Sequence, residues 1–280
     1  MTSAADWQSR TGAAWAAEWP RTDRSFAELD PVLLEAALDG LAPEAGVLDV
    51  GCGAGATSLA IKAARPDCTV TGVDLSVELI EAAQARAAMM PEGKRPDFRI
   101  EDAASAQSGA FDRIVSRHGV MFFADPVAVL ARLRQRLAPG GAIVFTCFRE
   151  RAANGWATMP VASLGGAGSS PPAGLAGGPG PFAFAVEDEV RGLLTAAGWQ
   201  AIESRAVDYR YRAGEGPRAV EDAVALFRRI GPAAPVLAAE PPERRAELTE
   251  RLAALCAEQW RDDIVSFPAA AWLWVARNPA

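Results

Sequence analysis

From Val47 to Phe148 the chain alternates two hydrophobic rhythms. Short apolar runs (VLDVG, TVTGVD, AIVFTCF) read as strands, and between them apolar side chains return every three or four positions, as on one face of a helix. ATSLAIKAAR follows the first run as a helix. In VELIEAAQARAAMM the residues Leu79, Ile80, Ala83 and Ala87 share a face, and Ser76 precedes it as an N-cap. DFRIED and FDRIVSRH read as the third and fourth strands. Asp125-Pro126 starts a further helix, with a capping acceptor followed by proline at the first helical position. Val127, Leu130, Leu133 and Leu137 line one side of it, and Pro139-Gly140-Gly141 ends it. Strands and helices in strict alternation predict a parallel sheet covered on both faces.

Beyond Phe148 the rhythm breaks. Residues 149–181 are rich in Gly, Ala, Ser and Pro without periodicity, and predict an irregular lid or connector. VEDEVRGLLTAAG resumes as a helix that Gly198 ends. AIESRAVDYRYR and AAWLWVARN read as strands, and the helical patterns of about 217–267 read as an insertion between them. The expected organisation is a helical segment at 1–45, a core at 46–149, a lid loop at 150–186, the core again at 187–212, a helical cap at 213–268 and a last strand at 269–280. Trp7, Trp15 and Trp19 fall in the first segment, which either folds over the site or packs on the sheet.

Composition narrows the function. Half of the 280 residues are apolar, enough for a sizeable core, and the net charge is -7 with no Lys/Arg-rich block, which argues against nucleic acid. No apolar run approaches a membrane span, and MTSAADWQSR lacks the apolar segment of a signal peptide. Cys52, Cys68, Cys147 and Cys256 show no C-x-x-C spacing, and His118 is the single histidine, so no metal site or disulfide framework is expected. These features predict a cytoplasmic protein, monomeric or homodimeric.

Ligands of parallel sheets bind at the carboxyl ends of the strands. That rule brings Gly51, Gly53, Gly55, Asp74, Asp102 and His118 to one edge. The glycine turn also fits G-x-G-x-x-A, which cradles a dinucleotide. Asp49 separates the two, because a carboxylate two residues before Gly51 would repel a pyrophosphate and suits a cation. S-adenosylmethionine (SAM) has an ammonium, a sulfonium and no phosphate. Asp74 suits two ribose hydroxyls in either ligand, while Asp102 can accept from an adenine amino group and the Ala103 N–H can meet a ring nitrogen.

The stretches VLDVGCGAGA, TGVDLS, IEDA, FDRIVSRHGVMFFADP and LAPGGAIVF together resemble the class I SAM-dependent methyltransferases. Asn154–Trp156, Gly180–Phe184 and AAWLWVAR are similar to a bacterial small-molecule branch related to the ubiquinone/menaquinone enzymes. The resemblance implies an α/β fold with a Rossmann-like, mostly parallel seven-stranded sheet, helices on both faces, and a helical or loop cap. It implies that Asp49, Gly51, Cys52 and Gly53 hold the methionine part of SAM, that Asp74 and Leu75 hold the ribose and flank the adenine, and that Asp102 and Ala103 meet the adenine edge. Ser116, Arg117 and His118 would stand near the transferred methyl.

The expected reaction is direct displacement from SAM, leaving S-adenosylhomocysteine, on a small apolar or aromatic acceptor at oxygen or carbon. Met121, Trp156 and Trp15 are the expected acceptor-side residues. His118 is either a general base or a ring that lines the pocket; Cys52 either sits at the cofactor or simply packs. Ser116-Arg117-His118-Gly119 stands where amino-methylating enzymes of DNA and protein glutamine carry [DN]-P-P-[YFW], no Pro-Cys pair is present, and no Asp/Asp/Asn magnesium set is visible. An NAD(P)-dependent oxidoreductase shares the turn and Asp74 but leaves Asp49 unexplained. A non-catalytic SAM-binding protein is the third reading.

Overall fold

A computed structural model describes residues 10–103, 111–165 and 174–279; Trp7 and part of the expected lid lie outside them. Three N-terminal helices, α1 (Arg10–Ala17), α2 (Trp19–Ser25) and α3 (Asp30–Leu38), precede the alternating core. The core runs β1 (Gly46–Val50), α4 (Ala56–Ala64), β2 (Thr69–Asp74), α5 (Val77–Ala88), β3 (Asp97–Ile100), β4 (Phe111–Arg117), α6 (Pro126–Gln135) and β5 (Leu137–Phe148). It continues through α7 (Gly155–Ser163), α8 (Glu187–Ala196) and β6 (Gln200–Glu215). Then come α9 (Ala219–Arg229), α10 (Ala233–Ala238), α11 (Pro242–Glu258), β7 (Trp260–Arg261) and β8 (Ile264–Arg277).

The strand order is β3-β2-β1-β4-β5-β8-β6. The first five strands are parallel, whereas β8 runs antiparallel to both β5 and β6. This is the expected seven-stranded sheet, with β7 added as a two-residue strand on β8. Val47, Leu48, Ile114, Val115, Val144 and Phe145 are fully buried, as strands covered on both faces require. The caps form as read: Ser76 accepts from the Leu79 N–H at 3.3 Å and Asp125 from the Ala128 N–H at 3.0 Å.

Two local expectations are corrected. α6 ends at Gln135, and Leu137 opens β5 opposite Phe111 instead of closing the helix. The Phe111 N–H donates to the Arg136 carbonyl at 3.0 Å, so the chain joins the sheet before the proline is reached. The segment after β5 is also not irregular throughout, because α7 lies in it with Trp156, Ala157 and Pro160 buried. α7 is apolar nearly all round and packs between α11 and β8, so it has no polar face to mark its period.

Side-chain charge fixes α2 and the start of α3 at the strand tips, while the rest of α3 packs along the sheet. Arg117, at the end of β4, donates to Asp30 at 2.8 Å and to Asp23 at 3.0 Å, and its guanidinium lies 5.0 Å from the Phe26 ring. Arg86 of α5 donates to the other Asp23 oxygen at 2.8 Å and to the Ala54 carbonyl at 2.6 Å, beneath the Trp19 ring. A second set joins α2 to α9. Buried Glu18 pairs with Arg21 and Arg229, while Asp222 pairs with Arg21 and Arg24. Removing Arg117 strands the Asp30 carboxylate and leaves Asp23 to Arg86 alone. Arg117→Met is expected to lower the unfolding free energy by about 3 kcal/mol in urea titration.

Candidate active site

The glycine turn forms because Gly51, Gly53 and Gly55 all hold left-handed backbone, with φ of 65°, 54° and 83°. Gly55 is further constrained, since a Cβ there would stand 2.6 Å from the Phe98 ring. At Gly51 a Cβ would meet the Gly119 Cα at 3.1 Å, so the exits of β1 and β4 touch backbone to backbone. Ser116 binds these exits together: its hydroxyl donates to the Val50 carbonyl at 2.7 Å and accepts from the Gly119 N–H at 3.2 Å.

Two carboxylates flank the turn. Asp74, at the tip of β2, accepts from the Gly53 N–H at 2.9 Å and the Ser76 N–H at 3.0 Å. Burial raises its pKa, and these backbone donors oppose the rise. Asp49 accepts from the Ser58 hydroxyl at 2.7 Å through one oxygen; the other oxygen is buried with no hydrogen-bond partner among the described residues. Burial pushes its pKa up to about 6, against the pull of Ser58 and of the Arg117 charge. A Cβ on Gly53 would meet nothing, so the backbone is open there. These acceptors thus fit a ligand with a cationic head and a polyol.

Of the other expected cofactor residues, Leu75 is half-buried beside Asp74, Asp102 is exposed past β3, and Ala103 is buried. The pairing of Asp74 with Ile100 puts Asp102 two residues beyond the neighbouring strand tip. Cys52 packs: its N–H donates to the Val73 carbonyl, its sulfur lies against Gly72, and burial raises the thiol pKa.

His118 opens the second half of the site. It holds φ of 60°, a conformation that costs a non-glycine residue about 1–2 kcal/mol. Its N–H donates to the Thr146 carbonyl at 3.1 Å, and its Nδ1 lies 3.0 Å from the Thr146 hydroxyl. Phe148 and Phe26 flank the ring at centroid distances of 4.1 and 5.0 Å. Phe148 then contacts Trp156, which stacks on Tyr211 at 5.1 Å and faces Phe182 at 6.2 Å. Trp156 is held by Asn154, whose Oδ1 accepts the indole N–H at 3.0 Å while its amide donates to the carbonyls of Arg149, Glu150 and Ala270. Two polar atoms of this aromatic group, His118 Nε2 and the Tyr209 hydroxyl, are buried with no partner among the described residues. Burial, then the adjacent Arg117 charge, lowers the His118 pKa to about 3.

Phe148 thus lies between His118 and Trp156 and links both to one aromatic group, with Trp156 standing on a helix. Met121 and Trp15 belong to the hydrophobic cluster that also holds these rings. Met121 is buried in the core, its carbonyl taken by the Gly180 N–H, and Trp15 is half-buried on α1 against the same core. Arg117 points to the cap carboxylates. Sequence reasoning missed Phe26, Phe148, Tyr209, Tyr211 and Asn154. A signal existed for the tyrosines, the two in the chain, which stand two apart on one face of a strand.

A sheet of this order, with an acidic residue before a glycine turn and another at the next strand tip, defines a Rossmann-like methyltransferase fold. Residues 48–143 match a family model described as "Methyltransferase domain". The chain is 35% identical over 131 residues to a ubiquinone biosynthesis O-methyltransferase of Xanthomonas axonopodis pv. citri, covering 45% of this chain and 52% of that one. It thus spans about half the length of the first curated relatives it matches. An uncharacterized protein of Mycobacterium tuberculosis is 31% identical over 233 residues, 80% of each chain. Among solved structures, phosphoethanolamine N-methyltransferase 2 of Haemonchus contortus, in complex with SAM, superposes with a TM-score of 0.59 at 16% identity, covering all of this chain and 61% of that one. The chain belongs to the class I SAM-dependent methyltransferases. No helix among the described residues is long and apolar enough to cross a membrane.

Because His118 is the single histidine, its imidazole is directly observable. Its proton shifts are expected to stay constant from pH 5 to 8 in NMR titration, since the ring is neutral throughout that range.

Proposed function

We propose that this protein transfers the methyl group of SAM to a small apolar or aromatic acceptor, at oxygen or carbon. The unpartnered, buried Asp49 oxygen beside an open glycine backbone carries the reading. It is the acceptor that an ammonium group needs, and the wrong charge for a nicotinamide dinucleotide's pyrophosphate. Asp74 holds the ribose hydroxyls with the lone pairs that Gly53 and Ser76 leave free, Leu75 flanks the adenine, and Asp102 and Ala103 meet its edge. Gly51, Cys52 and Ser116 act through shape, keeping the β1 and β4 exits close.

SAM supplies an activated methyl on a positively charged sulfur, so the protein has to align the acceptor and keep water out. The aromatic group around His118 and Trp156 does both. It lies beside α2 and the insertion helix α9, which the Glu18 and Asp222 ion pairs join into a cap. The rings suit an apolar or aromatic acceptor. Four buried, unpaired cysteines favour a reducing, cytoplasmic setting.

The carboxylates make the reading testable by calorimetry with S-adenosylhomocysteine, which retains the ammonium. Asp49→Asn is expected to weaken binding by about 10- to 100-fold, the cost of losing one hydrogen bond between charged groups. Wild-type affinity is expected to fall as pH drops below about 6, where Asp49 takes up a proton, and the variant is expected to lose that dependence. The sign for stability is opposite. A carboxyl raised from 3.8 to about 6 stabilises the free fold most below pH 3.8 and loses that contribution as pH rises through 6. Asp49→Asn is therefore expected to raise the Tm of the ligand-free protein at pH 7. Asp74→Ala is expected to weaken S-adenosylhomocysteine by about tenfold or more through the lost ribose contacts. Unchanged affinity in both variants contradicts the assignment.

A further inference from the structure

The hydrogen bonds around His118 determine which ring nitrogen carries its proton. Nδ1 contacts the Thr146 hydroxyl, and that hydroxyl, fully buried in β5, has no other hydrogen-bond partner among the described residues. A buried hydroxyl with a single neighbour donates to it, because an unpaired O–H in an apolar interior is costly. Thr146 therefore donates to Nδ1, which leaves the ring proton on Nε2. The other tautomer would strand the Thr146 hydrogen. Nε2 is itself more than nine-tenths buried, has no protein partner, and belongs to a ring framed by Phe26 and Phe148.

We propose that His118 serves the methyl acceptor as a fixed N–H donor, not as a base, and that the acceptor is an acidic phenol- or enol-like compound bound as its oxyanion. This rests on the methyl-transfer reading above. A nitrogen that already bears its proton cannot take the acceptor's proton, but it can hold an oxygen that has none. The groups around the ring agree. From β4, Arg117 places a positive charge nearby, balanced by Asp23 and Asp30 on α2 and α3. β5 offers Thr146 and the Phe148 ring, the turn after α2 offers Phe26, and Tyr209 and Tyr211 of β6 pack against that Phe26 ring. Among these groups none is an ionised carboxylate free to act as a base in place of His118. The acceptor's proton is lost to solvent before binding. Its lone pair then forms the bond to the methyl carbon, and the breaking carbon–sulfur bond leaves its electron pair on sulfur.

One histidine makes the tautomer measurable. In the full-length protein, labelled with ¹⁵N at histidine and saturated with S-adenosylhomocysteine, Nε2 is expected to show the protonated-nitrogen shift and Nδ1 the lone-pair shift. 4-Nitrophenol, whose absorbance reports its ionisation, is then titrated into the same complex. The phenolate is expected to bind about tenfold more tightly than the neutral phenol, the difference between a charge-assisted and a neutral hydrogen bond. His118→Gln keeps an N–H donor but has no basic nitrogen, and is expected to retain that preference. His118→Phe is expected to lose it. A proton on Nδ1, or 4-nitrophenol that binds without preference for its anion or fails to bind, overturns the inference. Failure of the wild-type protein to bind S-adenosylhomocysteine overturns the methyl-transfer reading instead, so the two failures are distinguishable.

Discussion

Arg117 is the charge on which the site depends. Taking a guanidinium out of water at the tip of β4 is costly, and Asp23 and Asp30 offset that cost by coming down from the N-terminal helices. Burial works against its charge, yet the two carboxylates hold its pKa above the ordinary range. The same ion pairs that satisfy Arg117 therefore fasten the cap to the sheet. Its field reaches both halves of the site. It opposes the burial that would keep Asp49 protonated, and it adds to the burial that keeps His118 neutral. Burial sets the direction of both shifts, and this one cation moderates the first and reinforces the second.

The polar groups around the site divide sharply by satisfaction. Asn154 is fully buried, and its amide and oxygen reach three carbonyls, one indole N–H and the Ala270 N–H. It fixes Trp156 and has no bonding capacity left for a ligand. Ser116 is likewise committed to Val50 and Gly119. Asp49, His118 and Tyr209 each keep one buried atom without a partner among the described residues. Unpaired buried polar atoms are expensive, and each of these three is an atom that a ligand could complete. The strained φ of His118 belongs to the same economy of strain, since it directs the ring among the phenyl groups where the chain would otherwise relax.

Much of the glycine-turn half of the site was legible because its geometry is local. Three glycines need positive φ within five residues, Asp49 precedes them, and Asp74 ends the next apolar run, so strand topology alone brings these residues to one edge. The aromatic half was legible in part. His118 and Trp156 were visible as the single histidine and as a tryptophan beyond the last parallel strand. Phe26, Phe148, Tyr209 and Tyr211 come from four distant places, and no short-range pattern links them. α7 was hidden for a different reason. A helix that is apolar on every side shows no amphipathic period, and its Gly, Ala and Pro content resembles a loop.

By itself, the sequence determined the order of strands and helices, the caps at Ser76 and Asp125, the glycine turn and the acidic positions around it. Each of these follows from spacing, backbone freedom or side-chain capping within a few residues. Only the tertiary structure decided what the charges and rings do. Whether Asp49 keeps an unpaired oxygen, whether Arg117 faces a ligand or the cap, and which nitrogen of His118 carries the proton all depend on partners far away in the chain. Those partners matter because burial multiplies the effect of every neighbouring dipole and charge, and burial exists only once the chain has packed.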